Sequence, residues 1–152
     1  MVRKPKRGVG AALHRHSLSF ITAGILAMWT ALYAGADDTT HLGGFYGNAT
    51  ADWTGTLVAV LGTKYFYEVG SKESRAPRGH FRNRAREFVH QHSLSIFLIV
   101  TGGLWAALYM RTDPETHWGQ VIGNIVSEWT QIIGLVLMSK RLIEKGSKES
   151  AH

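Results

Sequence analysis

Apolar residues are not spread evenly along this chain. They collect in four blocks, over 18–36, 45–66, 94–110 and 121–143, and most of the charge falls between them. Each block matches the roughly 17 to 25 residues with which a helix crosses a bilayer at about 1.5 Å per residue. The pattern predicts an all-α integral membrane protein with four spans.

The four blocks are two copies of one pattern. Shifting the sequence by 76 positions sets His14 against His90 and runs to Ser74 against Ser150 without a gap, with 26 identities in 61 positions. Both copies read HxHSLS, WxALY, DxxTHxG, GN, WT and KxxxExGSKES. A tandem duplication of a two-span hairpin explains this, and because each copy holds an even number of spans both insert the same way round. The expected architecture is a four-helix bundle with a pseudo-twofold axis along the membrane normal, unlike an inverted repeat. Its parts are a basic N-terminus (1–13), hairpin one (14–74), a basic linker (75–89) and hairpin two (90–150).

Composition alone points elsewhere. With 45% hydrophobic and 18% charged residues the average resembles a soluble globule, which hides the blocks. The position of charge is more informative than the net +6: sixteen of the 17 Lys and Arg residues fall before the first span, between the second and third, or at the end of the fourth, and only Arg111 falls in an outer loop. Both termini and the linker are therefore expected in the cytoplasm of a cell whose inner membrane holds the protein. The stretch "GHFRNRAREFVH" groups Phe81, Ala85 and Phe88 on one face, as in a short helix lying on anionic lipid, and a nucleic-acid role is set aside. The N-terminal run imitates a cleavable secretory signal, but its second copy keeps the apolar run without a cleavage pattern, so a retained span is expected.

Punctuation follows the same duplication. Ser17 and Ser93 stand where the odd spans begin, with Ser17 expected as an N-cap. Trp29, Tyr33, Trp105 and Tyr109 are expected at the outer interface, and Tyr65 and Tyr67 at the inner one. Gly70 and Gly146 are expected to close the even spans in the left-handed conformation, with Lys64 and Lys140 snorkelling nearby. His14, His16, His90 and His92 are expected as headgroup anchors, because residues two apart on a helix point about 200° apart and cannot grip one ion.

The chemistry lies in "DDTTHLGGFYGNATADW" and "DPETHWGQVIGNIVSEW". If each helix begins at Asp37 or at the capping Asp113 before Pro114, then Asp37, His41, Asn48 and Asp52 fall within about 60° of one another, and Asp113, His117, Asn124 and Glu128 repeat the stripe. Gly43 with Gly47 and Gly119 with Gly123 fall on the opposite face, where small residues let another helix approach. Counting back from Lys64 and Lys140 puts Asp52 and Glu128 roughly 12 Å inside the hydrocarbon. A charge there costs about 2.5 to 3.5 kcal/mol on insertion scales and normally faces a polar interior or a pathway. Below Asp52 the face stays small and polar through Gly55, Thr56, Ala59 and Thr63, whereas Gln131, Ile132, Leu135 and Ser139 make the other copy bulkier.

Two readings stand side by side. In the first, His41, Asn48, Asp52, His117, Asn124 and Glu128 form the site of a proton or divalent-cation channel or carrier, with His41, Asp52, His117 and Glu128 the ligands of any metal. In the second, these groups are interhelical glue in a non-transporting scaffold or accessory subunit whose glycine faces pack against a partner subunit or a second copy. A membrane enzyme with a bound metal is a third reading, although without cysteine there is no thiolate site and no nucleotide-binding or hydrolase motif points to it.

The segments "HSLSIF" and "SEWTQIIGLVLMSKRLIEKGSKES" resemble those of an uncharacterised family of small bacterial inner-membrane proteins with SLS span starts and KGSxES span ends. The resemblance implies a bacterial membrane location and carries no activity.

Overall fold

The computed structural model describes residues 16–71 and 83–140, and among them every regular element is a helix. There are five: α1 (Ser17–Ala34), α2 (His41–Tyr65), α3 (Arg84–Gln91), α4 (Ser93–Tyr109) and α5 (His117–Met138). The first 15 residues, 72–82 and 141–152 lie outside the described residues, and with them the expectations for His14, Phe81 and Gly146.

Helices α2 and α5 lie side by side at the centre, with α1 against α2 and α4 against α5. They run in the same direction, since Asn48 meets Asn124 at one end and Glu68, just past α2, meets Lys140 at the other. A small core of Tyr33, Ala51, Leu94, Leu98, Val121, Ile125, Trp129 and Val136 joins them. Within it the Trp129 indole donates to the Thr101 hydroxyl at 2.8 Å, which satisfies a buried N–H.

Apolar side chains lie mostly outside this core. In the most apolar stretch of α1 only 11% of residues are buried, and Phe20, Ile21, Val100 and Leu104 are each more than half exposed. Large exposed apolar surface of this kind marks contact with a membrane or a partner. Two helices, α1 and α5, are long and apolar enough to cross a membrane; α4 joined to α3 through a 65° bend makes a third candidate. The longest helix, α2, falls short because glycine, threonine, Asn48 and Asp52 dilute its apolar content.

Several local expectations change. Helices α2 and α5 begin at His41 and His117 rather than at Asp37 and Asp113, because Thr40 and Thr116 take the cap: each hydroxyl accepts from the amide three residues on, Gly43 at 3.0 Å and Gly119 at 3.1 Å. Ser17 is the first residue of α1, with His16 in the cap position and no side-chain cap bond. Tyr33 is buried instead of lying at an interface. Gly70 is left-handed as expected (φ 79°), but it serves a turn that follows the end of α2 by several residues.

Candidate functional site

The loops before α2 and α5 share one construction. Asp37 Oδ1 accepts from the Thr39 amide at 3.0 Å and Asp113 Oδ1 from the Glu115 amide at 2.9 Å, while Thr40 and Thr116 donate back to the Asp37 and Asp113 carbonyls at 2.6 and 2.7 Å. The Thr39 hydroxyl and then its amide hold the Asp37 carboxyl below the usual carboxylate range. Asp37 and Asp113 therefore organise loops and do not extend the polar stripe.

The glycines serve the same loops. A Cβ on Gly43 or Gly119 would lie 2.0 or 2.1 Å from the Asp37 or Asp113 carbonyl oxygen, and one on Gly47 or Gly123 would lie 2.9 or 3.0 Å from the Tyr33 or Tyr109 ring. Neighbours within the same hairpin fill these faces.

Beyond this point the two loops differ. The His117 ring stacks on Tyr33 (4.0 Å between centroids, 14° between planes), its Nδ1 is 3.1 Å from Asp38 and its Nε2 is 3.0 Å from the Tyr33 carbonyl, while the Tyr33 hydroxyl donates to the His117 carbonyl. His41 stands 76 positions earlier and is exposed, with no polar contact among the described residues. Pro114 occupies the position matching Asp38 and offers no carboxylate. In place of a seated ring there is a cavity of about 500 Å³, bordered by Tyr109, Pro114, Gly123, Gln120, Asn48 and Asn124.

At the floor of that cavity Asn124 Nδ2 donates to Asn48 Oδ1 at 2.6 Å. One turn deeper the Asp52 and Glu128 carboxyls come within hydrogen-bonding reach of each other. Gln131 Nε2 donates to Glu128 Oε1 at 3.3 Å, and Gly55 leaves room, since a Cβ there would lie 3.0 Å from Glu128 Oε2. The stripe is thus assembled from α2 and α5, but on an open face of the pair: Asn48, Asp52 and Gln131 are exposed, while Asn124 and Glu128 are half-buried. Of the six expected site residues the structure brings together Asn48, Asp52, Asn124 and Glu128, and leaves out both histidines. Among the described residues no three His, Asp or Glu side chains converge to hold a metal ion, so the four-ligand set of His41, Asp52, His117 and Glu128 is not formed.

A second polar centre was not expected. Glu68, in the loop after α2, has no exposed surface; it meets the Lys140 ammonium, His92 Nδ1 at 2.6 Å and the Ser95 amide at 3.0 Å. Burial works against its charge, yet the hydrogen bonds from Lys140, Ser95 and His92 outweigh burial and hold its pKa below the ordinary value. Next to it, the Ser71 and Ser139 hydroxyls pair at 3.0 Å, and Ser93 accepts from the Tyr67 amide at 2.9 Å. His92 and Lys140 are therefore partners of a buried acid, not headgroup anchors, and Lys64 meets His16 Nδ1 at 2.8 Å. The repeated KxxxE spacing was the available signal, but which helix each charge would cross to depends on the packing.

No family model matches the chain, and neither the curated proteins nor the solved structures include one similar to it.

Proposed function

We propose that this chain is a four-span membrane protein made of two duplicated, parallel hairpins, with termini and linker on the cytoplasmic side, and that it passes protons through the Asp52–Glu128 pair. The observation that carries this reading is the meeting of two carboxyls at matching levels of two central helices, one turn below a bridging asparagine pair. Like charges in contact in a low dielectric do not both ionise, so such a pair holds a proton between them and can exchange it. The cavity bordered by Tyr109 and Pro114 provides the outer approach. A proton fits better than a divalent cation, because two carboxyls and carboxamides offer no third anionic or imidazole ligand.

The open face of the stripe argues for self-association. Exposed Asn48, Asp52 and Gln131 at this depth would face lipid in a monomer, at a cost of a few kcal/mol for a charged group. A second copy, bringing its own amide donors and carboxyls, covers them. Loop carbonyls and tyrosine rings already occupy the glycine faces, which favours the proton reading over a scaffold that docks through them.

The test is proton flux in liposomes under an imposed pH gradient. Wild-type protein should dissipate the gradient, and Asp52→Asn and Glu128→Gln should each abolish that flux while folding normally. Absence of flux at every pH, or flux unchanged in both variants, rejects the reading.

A further inference from the structure

We propose that the groove between the end of α2, the short helix α3 and the first half of α4 seats one anionic phospholipid of the inner leaflet. This inference uses the membrane placement above and is independent of proton passage. Helix α3 is amphipathic yet has no buried residue: Phe88 and Val89 are 60% and 55% exposed. The 65° bend between α3 and α4 opens a cavity of about 640 Å³ bordered by Tyr65, Phe66, Arg86, Val89 and Ser93. Through Phe66, Val89 and Ser93 it continues into a second cavity of about 320 Å³ that runs past Ile96 and Phe97 to Val100 and Thr101. The stacked rings of Phe66 and Phe97, 4.4 Å apart, form its floor.

Polarity along this groove changes in one direction. Positive charge is confined to the α3 end, where Arg86 borders the cavity, Arg84 lies on the same helix and the Lys64 ammonium is 4.8 Å from the Tyr65 ring. From Ser93 to Thr101 the groove follows α4 for about 12 Å toward mid-bilayer without a charged residue. A phospholipid has the same order, with phosphate beside the arginine and an acyl chain over the phenylalanines. Among the described residues neither Arg84 nor Arg86 pairs with a carboxylate, and Glu68 is enclosed with Lys140 and His92. Arg84, Arg86 and Lys64 outnumber Glu87 at this end, and the net positive charge selects an anionic headgroup over a zwitterionic one.

The test is native mass spectrometry of the full chain from micelles holding equal phosphatidylglycerol and phosphatidylcholine of identical chains. Prior incorporation into lipid nanodiscs separates failure of the membrane placement from failure of the seat. One phosphatidylglycerol should remain per chain, with about fivefold preference over phosphatidylcholine, and excess inorganic phosphate should not displace it. Arg86→Gln should bring the two lipids toward parity and Arg86→Lys should restore the preference. Val100→Trp, which fills the apolar end, should reduce retention of both lipids, whereas Ile21→Trp on exposed α1 should change neither. Equal retention of the two lipids by wild-type protein, or a preference unmoved by Arg86→Gln, overturns the proposal, as does equal loss with Val100→Trp and Ile21→Trp.

Discussion

At one end of the central helices Glu68 is enclosed and meets an ammonium, an imidazole and a backbone amide; midway along the same helices Asp52 and Glu128 meet each other and a carboxamide. Both sites join α2 or its following loop to the second hairpin. Their bonding is opposite in kind. A carboxylate with its counter-charge supplied stays ionised and fixes two chain segments in place, whereas two carboxyls without a cation nearby depend on a proton. Glu68 holds the fold, and the proposed proton passage belongs to the other pair.

The largest expected effect falls on the enclosed acid. Glu68→Ala strands the Lys140 ammonium and should cost about 3 kcal/mol or more, read as a lower melting temperature in detergent, while Asp52→Asn and Glu128→Gln should cost about 1 kcal/mol or less, because the amide keeps a hydrogen bond across the pair. Equal losses at both sites would mean that Asp52 and Glu128 hold the fold as Glu68 does. Since folding lowers the pKa of Glu68, its stabilisation is complete above the ordinary carboxylate range and disappears as pH falls through the depressed folded value. The melting temperatures of wild type and Glu68→Gln should therefore converge on acidification, and a gap that widens in acid contradicts the assignment.

Next in size, Gly47→Ala drives a methyl to within 2.9 Å of the Tyr33 ring and should cost roughly 1 to 3 kcal/mol. Gly44→Ala, with nothing within 4 Å, should be neutral or slightly stabilising in the same melts. Asn48→Ala removes the bridging amide and should cost about 1 kcal/mol, measured by the same thermal scan, and it should lower proton flux less than Asp52→Asn. The caps give the smallest effect: Thr40→Ala and Thr116→Ala should each cost about 1 kcal/mol or less, by similar amounts because their bonds are alike.

Much of this organisation was legible from periodicity. The apolar blocks lead to α1, α2, α4 and α5 within a few residues at most ends, and the 76-residue shift pairs Asn48 with Asn124 and Asp52 with Glu128 before any coordinates. What misled was local competition. Asp37 and Asp113 read as helix starts, yet each aspartate side chain closes a turn of its own and leaves the cap to a threonine three residues later. His41 and His117 match in sequence but part in structure, because their surroundings diverge at Asp38 and Pro114. Glu68 was invisible as a centre, since its partners come from positions 24 and 72 residues away and only the packing of α4 and α5 brings them in. The openness of the polar stripe was equally hidden: a helical wheel places groups on one side of a helix but does not say which neighbour, if any, lies there.

The exchange of Asp38 for Pro114 has a wider meaning. At one loop the His117 imidazole fills the space beside Tyr33, while beside Tyr109 and Pro114 the matching space stays hollow. An acid there, as Pro114→Asp, would offer His41 a berth matching the one His117 has at Asp38 and make the molecule less lopsided.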